Sequence, residues 1–396
     1  MSSLLLTGIG HLTTNDGDPV RDAVVAIDEG LITYAGPAAD APETEGREVL
    51  DCGGRAVIPG FVDAHTHLVF AGDRSDEFRR KMAGEGYQEI ARSGGGIQAT
   101  VRATRAASEE ELLDLATERV RRMIATGTTT MEIKSGYGLD TETELRLLRV
   151  ARRVGEELGI TVRTTFLGAH TVAPDLTRER YVELLVDEMI PAAAGLADYC
   201  DVFVEKGVFS VDEARHILHA ASEHGMKARI HAEQLTRSGG AALAAEIGAV
   251  SADHLDHATP DDAAALAEAG VAAVLCPGAS YMLRGSQAPG PMLWDAGCTV
   301  AITTDCNPGT SFFESMAPIV SLAVVQTGLT VEQAIWAATR GGALALELPD
   351  RGLVTEGGVG DLVVLDAPDP AHIPYRPATD LTWRVIRSGS VVDGES

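Results

Sequence analysis

Short hydrophobic runs alternate with longer amphipathic stretches through residues 58–350. The runs are rich in β-branched residues, which favour strands, and the amphipathic stretches are typical of helices. The first run leads into His65, and seven more end near Lys134, His170, Glu205, His231, His254, Cys276 and Asp305. Helices are predicted over residues 109–125, 142–158, 211–223 and 261–268. Eight repeats of strand and helix predict an α/β fold, a (β/α)8 barrel of the TIM type.

An open, doubly wound sheet is the alternative fold. It usually carries a glycine-rich phosphate turn between a strand and a helix. Gly94-Gly95-Gly96 has neither that spacing nor a preceding strand. The pattern therefore favours the barrel.

Both ends of the chain have a different pattern, with short strands separated by turns. Residues 4–7, 23–28 and 31–36 predict strands before the barrel, and residues 361–366 and 383–392 predict strands after it. We expect the two ends to form one small composite β-sandwich domain. The expected units are residues 1–57 and 351–396 for its two parts and residues 58–350 for the barrel.

Composition and charge narrow the functional class. The chain has 396 residues and a formal charge of -26, which would repel a nucleic-acid backbone. Its five cysteines are an odd number without a C-x-x-C pair, which is typical of a reducing compartment. With neither a secretory signal nor a long apolar run in view, we expect a cytoplasmic protein that acts on a small molecule.

Candidate chemistry lies at the predicted strand ends, where barrel enzymes place their sites. His65 and His67 are one residue apart, so on a strand both imidazoles face the same side. With His231 and Asp305 they would form a set of three imidazoles and one carboxylate around one divalent ion. His170 and His254 would remain for acid–base work or for polarising a carbonyl. The simpler interpretation of each lone histidine is a hydrogen-bonded structural role.

The chain resembles the amidohydrolase superfamily of metal-dependent hydrolases through Pro59-Gly60-Phe61-Val62-Asp63-Ala64-His65-Thr66-His67. Within it, residues 70–78, 134–139, 166–170, 231–234 and 304–310 resemble the imidazolonepropionase family. The resemblance implies hydrolysis of the cyclic amide C–N bond of 4-imidazolone-5-propanoate to N-formimino-L-glutamate in histidine degradation. It also implies a homodimer.

The resemblance further implies roles for individual residues. One zinc or iron ion would be bound by His65, His67, His231 and Asp305. Substrate would be contacted by Arg74, Tyr137, His170, Gln234, Asn307, Gly309 and Thr310. Some relatives have glutamate where this chain has Gln234, so a hydrogen-bonding role is safer there than one that needs a carboxylate. The bridging carbamylated lysine of some superfamily members is not apparent, although Lys206 stays a minor candidate.

The implied mechanism uses a water activated by the metal, because an ion of this kind lowers the pKa of its water from about 15.7 toward about 7. The expected catalytic residues are His254, which would activate the water or polarise the carbonyl, Asp305, which would move the proton, and Gln234. The planar guanidinium of Arg74 suits the substrate's propionate. Without the resemblance, Arg74 would be interpreted as pairing with Asp73 or Asp76.

Alternative interpretations exist for Tyr137, for residues 307–310 and for the substrate. Tyr137 could simply pack in a loop, and residues 307–310 could form an ordinary turn. Another cyclic-amide hydrolase, or a heterocycle deaminase of the same superfamily, would share the metal ligands but use other substrate residues. A scaffold without activity would generally lack one of the four ligands.

Overall fold

A computed structural model describes residues 3–85 and 94–392 of the chain. The strands form three sheets of four, eight and five strands. In chain order they are β1 (Ser3–Ile9), β2 (His11–Leu12), β3 (Ala23–Asp28), β4 (Leu31–Pro37), β5 (Glu48–Asp51), β6 (Ala56–Pro59), β7 (Phe61–Asp63), β8 (Thr128–Lys134), β9 (Thr161–Ala169), β10 (Tyr199–Phe203), β11 (Lys227–Ala232), β12 (Ser251–His254), β13 (Ala272–Leu275), β14 (Val300–Ile302), β15 (Leu362–Leu365), β16 (Thr382–Arg387) and β17 (Ser390–Val392).

The α-helices lie mainly between the strands of the eight-stranded sheet. They are α1 (Ser75–Met82), α2 (Ile97–Ala106), α3 (Glu109–Ala125), α4 (Thr141–Leu158), α5 (Arg178–Leu184), α6 (Ile190–Ala193), α7 (Val211–Glu223), α8 (Gly240–Ile247), α9 (Pro260–Ala269), α10 (Pro277–Leu283), α11 (Gly290–Asp295), α12 (Met316–Leu322), α13 (Val331–Trp336), α14 (Gly342–Ala345) and α15 (His372–Tyr375). Shorter turns are the 3-10 turn Ala38–Asp40 and the π-helical turns Leu185–Met189, Ala323–Thr327 and Ala337–Gly341.

The eight-stranded sheet confirms the predicted (β/α)8 barrel. Its strands run from β7 to β14 in chain order, and every neighbouring pair is parallel. The sheet closes just beyond β7 and β14, where Thr66 and Cys306 form a parallel bridge. There the His67 N–H donates to the Cys306 carbonyl at 3.0 Å, and the Asp305 N–H donates to the His65 carbonyl at 3.1 Å. The open-sheet alternative is wrong.

Several helices begin where the sequence offers side-chain caps. Ser108 caps α3 in a reciprocal box with Glu111, and Ser210 caps α7 in the same way with Glu213. Such boxes satisfy backbone N–H groups that a first helical turn leaves without partners. The bounds of α3 and α7 coincide with two of the predicted helices.

The two ends of the chain meet in one mixed sheet. Its order is β17-β16-β15-β6-β2, so strands from before and after the barrel are hydrogen-bonded neighbours. It shares a hydrophobic core with the four-stranded sheet β4-β3-β1-β5, with Leu6 and Val25 from one sheet and Leu362 and Ile386 from the other. The unit boundaries near residues 57 and 351 stay predictions; β6 pairs with β15 as far as Pro59.

Charged side chains fill part of the barrel interior. Lys134 on β8 contacts Asp201 on β10, two strands that are not neighbours, so the contact crosses the inside of the barrel. No exposed surface remains on Glu132, Lys134, Asp201, Arg229 and Asp253. A buried charge is costly unless it is paired.

None of the helices in the described ranges is long and apolar enough to cross a membrane. All five cysteines are buried and free.

Candidate metal centre

His65 and His67 lie just beyond the end of β7, with their ring nitrogens close together. Their Nε2 atoms are 3.2 Å apart, and the two side chains are almost completely buried. The strand is held in place by Asp63, whose carboxylate accepts hydrogen bonds from the Thr304 N–H at 3.1 Å and from its hydroxyl at 2.5 Å. Asp63 thus ties the first barrel strand to the segment that follows the last one.

Closure of the barrel brings Asp305 to the two histidines. Asp305 Oδ1 lies 3.5 Å from His65 Nε2 and 3.4 Å from His67 Nε2. Its backbone has a φ of 48°, a left-handed conformation that a residue with a side chain rarely adopts. His254 has a φ of 78°. Strained backbone of this kind, at a cost of about 1–3 kcal/mol per residue, clusters at functional sites.

His231 and His254 approach from β11 and β12. The ring centre of His65 lies 4.5 Å from that of His231 and 5.3 Å from that of His254. The donor atoms of His65, His231 and His254 all lie within 4.8 Å of one another, as do those of His65, His67 and Asp305. The structure therefore brings the four predicted ligands together and adds His254 to them.

Two buried carboxylates orient these rings. His65 Nδ1 donates to Asp253 Oδ2 at 2.6 Å, and His231 Nδ1 lies 3.0 Å from Asp201 Oδ2. A proton held on Nδ1 leaves a lone pair on Nε2. The Nε2 lone pair of His65 then faces His67 and Asp305, which is the direction needed to bind a metal ion shared with them. Carboxylates behind metal-binding histidines commonly serve this purpose.

Burial favours the neutral form of His65, His67, His170 and His254. Desolvation, assisted by the charge of Lys134, lowers the pKa of His65 well below its usual value, and desolvation does the same for His67 and His170. The pKa of His254 falls to about 4, again mainly through burial. Neutral imidazoles are the form that binds metal ions. The clustered donors and their burial therefore fit a divalent cation.

Cys276, which follows β13, is a further residue near this cluster. Its sulfur lies within 4.8 Å of donor atoms of His254 and Asp305. Burial raises the pKa of this thiol well above its usual value, so the neutral thiol is favoured. The sequence pattern predicts only that Cys276 ends a strand and gives it no chemical role.

Tyr137 and His170 form an aromatic wall beside the histidines. The His170 ring stacks on His67 at 5.2 Å between centres, and its Nδ1 donates to the Gly136 carbonyl at 3.0 Å. The Tyr137 ring lies 5.9 Å from His67 and 5.4 Å from His170. Tyr137 is buried against this site, so it belongs both to the loop and to the wall of the site.

Arg74 pairs with Glu77, a partner that was not predicted. Its Nε donates to Glu77 Oε2 at 3.0 Å and its Nη2 donates to Glu77 Oε1, so the ion-pair alternative with Asp73 or Asp76 is wrong in its partner. Arg74 lines a cavity of about 430 Å³ together with Gly309, Thr310 and Phe312. A Cβ placed on Gly309 would lie 2.4 Å from Arg74 Nη1, so only glycine allows this close approach.

Residues 307–310 form a turn held by the Asn307 side chain. Its Oδ1 accepts hydrogen bonds from the N–H groups of Gly309 and Thr310, both at 2.8 Å. Its Nδ2 donates to the Asp305 carbonyl at 2.7 Å. The turn-chemistry alternative is therefore observed, and substrate contact by these residues stays a prediction.

Gln234 and Lys206 lie farther out. Gln234 is half-buried and follows Glu233, whose carboxylate accepts hydrogen bonds from backbone N–H groups where α8 begins. Lys206 is exposed. An exposed ammonium is not placed to bridge ions within the buried cluster.

The buried charges that support the site had no predicted role. Asp201 stands in the middle of an apolar strand, and an ionisable residue at such a position indicates a buried, paired charge. Glu144 gave none, because it looks like any acidic residue of an amphipathic helix. It is buried and accepts hydrogen bonds from the N–H groups of Gly136, Gly138 and Leu139, at 2.7–2.8 Å, around Tyr137.

The model of the Amidohydrolase family matches residues 56–394, which is most of the chain. The chain belongs to the amidohydrolase family. It is 48% identical over 381 residues to an imidazolonepropionase of Myxococcus xanthus, covering 94% of this chain and 90% of that one. With an imidazolonepropionase of Streptomyces griseus it shares 46% identity over 402 residues, 99% of this chain and 100% of the other.

Among solved structures, this amidohydrolase is similar to the N-isopropylammelide isopropylaminohydrolase of Burkholderia multivorans. The TM-score is 0.75, with 22% identity over 99% of this chain and 98% of that one. A likeness at this identity supports the barrel with its flanking sheets. Membership of the amidohydrolase family implies a metal ion, and the clustered His and Asp donors are the residues that could hold it.

Proposed function

We propose that this amidohydrolase is an imidazolonepropionase, which hydrolyses the cyclic amide C–N bond of 4-imidazolone-5-propanoate and yields N-formimino-L-glutamate. The observation that carries the proposal is 46% identity to an imidazolonepropionase over 99% of this chain and the whole of the relative. The convergence of the His65, His67, His231 and His254 imidazoles with the Asp305 carboxylate supports it.

The ligands we propose are His65, His67, His231 and Asp305, around one zinc or iron ion. When bound, the ion supplies Lewis-acid chemistry, lowering the pKa of a water and polarising the substrate carbonyl. Asp253 and Asp201 support this assignment because they hold the Nδ1 sides of His65 and His231.

Asp305 and His254 are proposed to handle the proton. Water adds to the ring carbonyl carbon, the C–N bond breaks, and the departing nitrogen takes a proton. The Asp305 carboxylate would accept the water's proton and carry it to the ring nitrogen. His254, neutral at pH 7 because burial lowers its pKa to about 4, would donate a hydrogen bond to the developing oxyanion.

Arg74 is proposed to bind the propionate. Its guanidinium lines the cavity beside Gly309, and Glu77 fixes its orientation through two hydrogen bonds. A planar guanidinium that is already oriented loses little freedom when a carboxylate arrives. Burial raises the pKa of Tyr137, so its hydroxyl stays a neutral donor at the wall of the site.

The remaining assignments belong to the same proposal. His170, Gln234, Asn307, Gly309 and Thr310 would complete the substrate contacts, with Gln234 as a hydrogen-bonding group near the reacting ring. We place the enzyme in the cytoplasm, in histidine degradation, as a homodimer.

The test is to purify the protein, measure its metal content, and assay fresh imidazolonepropionate beside hydantoin and cytosine. We expect about one equivalent of zinc or iron and turnover of imidazolonepropionate alone. Preferred turnover of hydantoin or cytosine would overturn the substrate assignment. Protein without metal and without any turnover would indicate a scaffold instead of an enzyme.

A further inference from the structure

Lys134 lies at the end of β8, next to the metal ligands, yet the proposed mechanism gives it no part. Its side chain is completely buried. Its Nζ lies 2.8 Å from Glu132 Oε1, 2.8 Å from Asp201 Oδ2 and 3.6 Å from Asp253 Oδ2. One ammonium group therefore contacts carboxylates from three strands of the barrel.

Two of these carboxylates are the ones that orient the histidines. Asp201 lies against the His231 ring and also accepts a hydrogen bond from the His231 backbone N–H at 3.1 Å. Asp253 accepts from His65. Lys134 thus contacts both the carboxylate behind His231, on β11, and the carboxylate behind His65, beyond β7.

The network holds its charges firmly. Burial opposes the charge on Lys134, but Asp201 and Glu132 outweigh it and raise the pKa of the lysine. Burial likewise opposes the charge on Asp253, but Arg229 and Lys134 lower the pKa of that carboxyl well below its usual value. Removing one partner of such a buried network leaves the others without compensation.

The positive charge of Lys134 helps to decide between two roles for it, attraction of the metal ion and positioning of the ligands. A fixed positive charge beside a cation site repels the cation, so attraction for the ion does not explain this lysine. A role in geometry does, since a histidine ligand depends on the group that holds its other nitrogen.

We infer that Lys134 is a positioning residue, which fixes Asp201 and Asp253 so that His231 and His65 are presented to the metal ion. The inference rests on the proposed function, because it presumes that these histidines are ligands. It gives the buried cluster a role beyond filling the barrel interior.

The test is the metal affinity of Lys134→Met, measured without substrate by titrating zinc against a competing chelator. Loss of positioning is expected to weaken zinc binding about 10- to 100-fold, as for other groups behind metal ligands. Loss of a nearby positive charge alone would strengthen binding. Unchanged or tighter zinc binding by the variant would overturn the inference.

Two further variants serve as controls. Lys227→Met removes an exposed lysine that pairs with Glu347 and should bind zinc as the parent does. If Lys134→Met fails to fold, the double variant Lys134→Met, Glu132→Gln is used, because it removes one charge of each sign. The glutamine side-chain oxygen at position 132 can still accept the hydrogen bond from the Thr66 N–H. This double variant should fold and still bind zinc more weakly; parental affinity in it would overturn the inference.

The two proposals fail in different ways. If the unmodified protein binds no equivalent of metal, the proposed metal site falls and the role of Lys134 falls with it. If the unmodified protein binds zinc and turns over imidazolonepropionate while the Lys134 variants bind zinc equally well, only the positioning role is refuted.

Discussion

Glu144 offers a direct test of how the loop around Tyr137 is held. The carboxylate accepts hydrogen bonds from the N–H groups of Gly138 and Leu139 on Oε1 and from that of Gly136 on Oε2. Leu139 has a φ of 57°, so the carboxylate also stabilises a strained backbone. We therefore expect the substitution Glu144→Gln to loosen this loop.

The size of the effect follows from the number of bonds that glutamine retains. Its single carbonyl oxygen can replace Oε1, but its NH2 group then faces the Gly136 N–H, where two donors meet. Leaving one buried donor without a partner costs about 1–3 kcal/mol. Burial raises the pKa of Glu144, which shows that burying the charged carboxylate is costly. The neutral glutamine avoids part of this cost, so we expect the loss of unfolding free energy to lie toward the lower end of that range.

The assay has a stability part and a kinetic part. Equilibrium denaturation should show the loss in unfolding free energy, and KM for imidazolonepropionate should rise because Tyr137 is displaced, with metal content unchanged. Glu142→Gln is the matched control, since Glu142 is exposed in the same helical turn. Parental KM and parental stability in Glu144→Gln would refute the reasoning.

Two further predictions concern the proposed ligands and the arginine. Asp305→Ala removes the carboxylate 3.4–3.5 Å from His67 and His65, so both the metal content, measured by elemental analysis, and turnover should be lost. The control Asp295→Ala changes an exposed residue and should keep both. Full metal content with normal turnover in Asp305→Ala would show the ligand set to be wrong. Gly309→Ala puts a methyl group 2.4 Å from Arg74 Nη1, and because the flexible arginine can move aside, KM should rise with little change in thermal stability. KM should also rise in Arg74→Ala. An unaltered KM in both of these variants would rule out Arg74 as the propionate-binding group.

Much of the fold could be predicted because its local patterns agree with its tertiary structure. Buried parallel strands need continuous apolar runs, and amphipathic helices with side-chain caps show where they begin, so α3 and α7 have their predicted bounds. Polar residues at strand ends stand out against such runs. The strand ends His65, His231 and Asp305 could therefore be placed at one face of the barrel from the pattern of the chain.

Contacts between side chains could not be predicted in this way. The alternative interpretation of Arg74 gives it Asp73 or Asp76 as partner, because both are near in sequence. The first turn of α1 presents Glu77 to the guanidinium instead. Asn307 shows the same limit, since its bonds depend on the conformation of a turn.

Strand period, helix capping and motif spacing are local properties, so the amino-acid sequence was enough to predict the barrel and the family. Which charges meet inside the barrel depends on the tertiary structure. Lys134, Asp201 and Asp253 lie on separate strands, and only closure of the sheet through Thr66 and Cys306 brings them beneath the histidines. Ion pairing across a closed barrel depends on strand register and shear, which no local pattern encodes.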